Sequence, residues 1–167
     1  MKIVTATNRI ARFVVAIAFA FGVAAHAAAQ EPHKYASGAA THALKLNAGH
    51  KWETDAPLRQ GMIKIRAAVE PKLEAVHAGT LTTREYKAVG AEVEVQLAYI
   101  VHNCKLDAQA DQVLHVILAD VTEGADALQG KAKQLTPRAG ALKILAALDT
   151  YGHYFDHPGW LTRKSGH

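Results

Sequence analysis

The sequence predicts an all-α fold: an antiparallel up-down-up-down four-helix bundle behind a signal peptide and a flexible lead-in. Three observations predict it. Four stretches carry apolar residues at helical spacing, short turn-like segments join them, and no stretch shows convincing period-2 alternation.

The chain opens with the pattern of a secretory signal at Met1–Ala29. Lys2, Arg9 and Arg12 form a positive start, Phe13 to Ala25 an apolar run, and Ala25-His26-Ala27 or Ala27-Ala28-Ala29 a small-residue cleavage site. The run is well short of the ~20 residues that a membrane-spanning helix needs. A cleaved, periplasmic or secreted protein is expected. Cleavage would remove three of the 19 Lys and Arg and none of the 15 Asp and Glu, leaving 16 against 15. With no basic run and no interleaved aromatics, there is no footprint for nucleic acid.

Residues 30–53 are polar and rich in small side chains, and read as a flexible lead-in with Leu44, Leu46 and Trp52 able to pack locally near its end. Residues 54–160 form the bundle and 161–167 a tail. A mature chain of about 138 residues suits one domain with a core of its own.

The first helix spans about Pro57 to His77, with Asp55 as N-cap and Pro57 in the first turn. Leu58, Met62, Ile65, Val69, Leu73 and Val76 share its face. Pro71 should kink it by removing a backbone donor, and Gly79 ends it. The second opens with the capping box Thr82-Thr83-Arg84-Glu85 and runs to about His102, with Tyr86, Val89, Val93, Leu97 and Ile100 as its stripe. The third runs from Asp107 to about Leu128 through Ala110, Val113, Leu114, Ile117 and Val121, and Gly124 weakens its last turns. The fourth opens at Thr136-Pro137 and carries Leu142, Leu145, Leu148, Tyr151 and Phe155 before Pro158-Gly159 stops it.

At ~1.5 Å per residue each helix is roughly 30 Å long, so the two bundle ends lie far apart. One end collects His50, Trp52, Asp55, His102, Cys104, Asp107, His153, Asp156 and His157. The other collects ordinary loop material around His77 and Lys131. His102-x-Cys104 leaves a helix with an imidazole and a thiol, and His153 and His157 stand four apart. Nitrogen and sulfur ligands of this kind hold copper or zinc, so His102, Cys104, His153 and His157 form the candidate metal cluster. His50 and His115 are outer candidates.

Structural roles compete with each of these. Cys104 continues the apolar stripe and reads first as a small buried hydrophobe, then as a ligand, and last as a thiol pairing with another molecule. His102 points away from that stripe. Pro158 pushes His157 out of helical geometry, and His153 and His157 read as solvated tail residues before they read as ligands. Asp111 and His115 read as an exposed ion pair.

Met62 on the first helix and His153 late on the last match the ligand placement of a b-type haem bundle. A single cysteine excludes covalent c-type haem. The one Glu-x-x-His, at Glu74 to His77, points away from the core and supports no di-iron site. No phosphate loop, nucleophile elbow or zinc-protease motif occurs. A third class is a cofactor-free bundle docking an envelope protein through Trp52, Tyr154 and Trp160.

Trp52 through Met62, then His102-Asn103-Cys104-Lys105-Leu106, Ala110-Asp111, Leu114-His115 and Tyr151 through Trp160, resemble a family of small exported proteins of Gram-negative bacteria with no established activity. The resemblance covers about residue 44 onward. It implies an exported single domain and assigns no catalytic residue. The reading is an exported helical bundle that binds a ligand, a transition metal foremost, and no catalytic constellation marks it as an enzyme.

Overall fold

A computed structural model describes residues 44–161. The signal peptide expected at 1–29, the first part of the lead-in at 30–43 and most of the tail lie outside the described residues. Those described belong to the second of the chain's two units, which begins at Ala39.

The fold is all-α, with one very short parallel strand pair. Helix α1 (Ala56–Val69) starts at Asp55, whose carboxylate accepts the Leu58 N–H at 2.8 Å. Pro71 then has the expected effect. The helix gives way to a 3-10 turn at Glu70–Lys72, which leads into the short α2 (Leu73–Ala78), closed by left-handed Gly79. Helix α3 (Thr83–Asn103) opens on the complete Thr82–Glu85 capping box. Helix α4 (Ala108–Leu128) is capped by Asp107, and α5 (Pro137–Tyr154) by Thr136.

Helix α1 packs on α3, α3 on α4 and α4 on α5, while α5 also meets α1 and α2. The α4–α5 seam is the closest, because glycines face each other across it. A Cβ on Gly124 would stand 2.7 Å from the Gly140 carbonyl, and one on Gly140 2.6 Å from the Gly124 carbonyl. Gly124 thus permits this approach as well as weakening its own helix. The expected stripes form the core, with one change of phase. Leu142 lies at the surface and Ala141 and Ile144 face inward beside Leu145 and Leu148.

Residues 44–53, assigned from the sequence to a flexible lead-in, are instead tied down. Asn47 and His50 form a bridge around the positive-φ pair Ala48-Gly49. Trp52 is buried and donates its indole N–H to the Lys45 carbonyl at 2.6 Å. Strand β1 (Trp52–Glu53) pairs in parallel with β2 (Phe155–Asp156), directly after α5. Lys51 donates to the Gly152 carbonyl and Thr54 to the Asp156 carbonyl, both at 2.6 Å. The entrance to α1 and the exit from α5 are thereby fastened together. At the other end Arg138, at the start of α5, donates to the Val76 and His77 carbonyls at 2.9 Å each. It adds a donor to the His77 carbonyl and a second one to the Val76 carbonyl, which already accepts the Gly79 N–H.

Candidate functional site

Asp55 joins the start of α1 to the α3–α4 turn. One carboxylate oxygen caps α1, and the other accepts the Lys105 N–H at 2.6 Å. The charge of this carboxylate also acts on the Cys104 thiol. Cys104 itself is the C-cap of α3, its N–H still bonded to the Ile100 carbonyl at 2.8 Å. It is half-buried, as the phase of the α3 stripe requires. Burial, and then the negative charge of Asp55, push its thiol up to about 12. Nucleophiles and metal ligands need thiolate; at neutral pH this sulfur is a protonated donor.

Beside Cys104 a cleft of about 300 Å³ opens between α3 and α4. Ile100, Leu114 and Leu118 are its buried wall, and Val101 and Ala119 its outer edge. Asp111 and His115 stand at the same cleft. The His115 Nδ1 lies 2.8 Å from the Asp111 carbonyl and 3.3 Å from its carboxylate, so the ring is held by its own helix. The exposed i,i+4 contact that the sequence suggests is formed, and its position on an apolar cleft is new. A cleft of this size is at the small end of the range for ligand pockets, ~300–1,000 Å³.

The expected metal cluster is not assembled. His102 is exposed in the last turn of α3 and His153 is exposed near the end of α5. His157 is buried elsewhere, against Tyr151 and Trp160, and Cys104 is turned to Asp55 and the cleft. Among the described residues no three His, Cys, Asp or Glu side chains are placed to hold one metal ion. His50, an outer candidate, is exposed in the Asn47–His50 turn. The haem arrangement also fails to form. Met62 is wholly buried in the hydrophobic core, whereas His153 lies at the surface with its ring against Tyr154. The aromatic docking face fails for the opposite reason: Trp52 is in the core, and Tyr154 and Trp160 pack on it.

His157 is the residue that sequence reasoning placed least well. Read as a solvated tail side chain, it is only 6% exposed. Its Nδ1 and the Tyr151 hydroxyl form a hydrogen bond of 2.9 Å. Phe155 stacks on Tyr151 with ring centroids 5.3 Å apart, and Trp160 meets the same ring edge-on at 4.8 Å. The Arg66 guanidinium lies 4.6 Å from the centre of the Trp160 ring, and also donates to the Leu161 carbonyl and pairs with Glu70. Burial first, then the charges of Arg59 and Arg66, hold the His157 imidazolium below its ordinary pKa; Asp156 opposes them. Burial likewise raises the Tyr151 phenol, which stays protonated. The dense aromatic composition from Tyr151 to Trp160 was the available signal for this cluster.

Comparison with models of protein families, with curated proteins and with solved structures finds no match.

Proposed function

We propose that the chain is an exported, non-catalytic helical binding protein that holds a small, mainly apolar molecule in the cleft between α3 and α4. The observation that carries this reading is the cleft itself. It joins a continuous apolar wall to a few polar groups at one edge, the composition by which pockets combine affinity with orientation. The segment from Cys104 to His115 supplies Cys104, Asp111, Leu114 and His115 to it.

Export is supported by the pattern of Met1–Ala29 and by the resemblance to small exported proteins of Gram-negative bacteria. An up-down-up-down course of the four helical segments is part of the same reading. It is supported by the Asp55–Lys105 and β1–β2 links at one end and by Arg138 bonding the close of α2 at the other. A binding role is favoured over catalysis because the thiol at the cleft is held protonated by burial and by the charge of Asp55.

The test is calorimetric titration of the purified mature chain with 1-octanol, an uncharged probe of the apolar wall. Saturable one-to-one binding is expected. Ala119→Trp, a surface substitution on α4 that fills the cleft mouth, should weaken it at least tenfold with the far-UV spectrum unchanged. Absence of binding, or equal binding by both proteins, would refute the reading.

A further inference from the structure

We infer that the ligand of the α3–α4 cleft is a cationic amphiphile: a short apolar chain ending in an ammonium group, seated with its tail between Val101 and Ala119, above Ile100, Leu114 and Leu118, and its head at Asp111. This rests on the cleft being a ligand site and adds the chemistry of the ligand.

Charge complementarity carries the assignment. Asp111 is the one carboxylate among the residues lining the cleft, and no Lys or Arg lines it. The Asp111 side chain is 49% exposed, so its charge is open to the mouth. The other polar groups there are committed. His115 Nδ1 is turned to Asp111, the Cys104 thiol is half-buried and kept protonated by burial and the charge of Asp55, and the Thr122 hydroxyl donates to the Leu118 carbonyl at 2.8 Å.

A helix start would ordinarily draw an anion. At α4 that tendency is already answered: the Asp107 carboxylate accepts the Gln109 N–H at 2.9 Å and the Ala110 N–H at 3.0 Å. Asp111, in the first turn, adds a second negative charge. An anionic head would therefore meet the Asp111 carboxylate and no Lys or Arg in the cleft. A neutral head would gain no ion pair.

A half-exposed ion pair is worth only about a two- to fivefold change in affinity. Attraction of an ammonium and repulsion of a carboxylate compound this to about tenfold. The test compares octylammonium, octanoate and 1-octanol by calorimetry at pH 8 and low salt, on the full mature chain and on Asp111→Asn. Octylammonium should bind about tenfold more tightly than octanoate, with 1-octanol between them. Asp111→Asn should bring the two charged probes within about twofold while leaving 1-octanol unchanged. Octanoate binding as well as octylammonium, while 1-octanol still binds and Ala119→Trp still blocks it, would overturn the cationic assignment and leave the cleft standing. If none of the three binds, the cleft reading fails and the assignment fails with it.

Discussion

Two histidine-bearing corners of this helical domain are built in opposite ways. Around Tyr151 the space is closed: His157 bonds its hydroxyl, Phe155 and Trp160 cover its ring, and Arg66 lies over Trp160. Around Cys104 a cleft stays open between α3 and α4, with exposed Val101 and Ala119 at its edge above buried Ile100, Leu114 and Leu118, and Asp111 and His115 face the opening. The closed corner fixes the chain's return past β2. The open corner keeps apolar surface available, which a fold retains at a cost unless something occupies it. A histidine in the sequence therefore carries little meaning until its corner is known. His157 is a structural group and His115 the rim of a pocket.

The largest effect that separates the corners should come from truncating their apolar side chains. Tyr151→Ala removes a wholly buried ring and leaves His157 without its partner. It should cost about 3–5 kcal/mol in denaturant unfolding. Val101→Ala, at the rim of the open corner and 71% exposed, should change stability by no more than about 0.5 kcal/mol. Similar costs for the two would erase the distinction.

The pH response comes next. His157 is held below its ordinary pKa in the folded chain, so the unfolded chain takes up its proton more readily. The stability linked to His157 is therefore fully present above the unfolded value near ~6.5. It is lost as pH falls from there through the lowered folded value. The melting temperature should drop between pH 7.5 and 5 by more in the native chain than in His157→Gln, which does not titrate there. Parallel profiles would show that the closed corner does not sense protons.

The fold was legible wherever its causes are local. Asp55, Thr82, Asp107 and Thr136 cap the helices that their positions announce, and Pro71 breaks the first helix where its missing N–H demands. The phase of α3 correctly turned Cys104 inward and His102 outward. Leu142 was misplaced because, near the start of α5, Leu142 and Ile144 compete for the stripe, and only the close approach of Gly140 to α4 decides between them.

The site was less legible because its causes are distant. The pairing of Trp52 with Phe155 joins the two ends of the domain across two residues, too short to leave a periodic signal. His157 precedes a proline and reads as an exit from structure; it is buried because Trp160 folds back under Arg66 from another helix. The spacing of Asp111 and His115 announced their mutual contact. That they border an apolar opening depends on how α4 sits beside α3, which no pattern within either helix encodes.

The central claim is that one corner receives a ligand while the other serves only the fold. The most direct measurement is a methyl-resolved NMR titration of the labelled mature chain with octylammonium. The account predicts saturable shifts of the Ile100, Leu114 and Leu118 methyls, with Met62 and Leu148 in the core unmoved. Shifts spread evenly over all methyls, or centred on the Tyr151 corner, would contradict it.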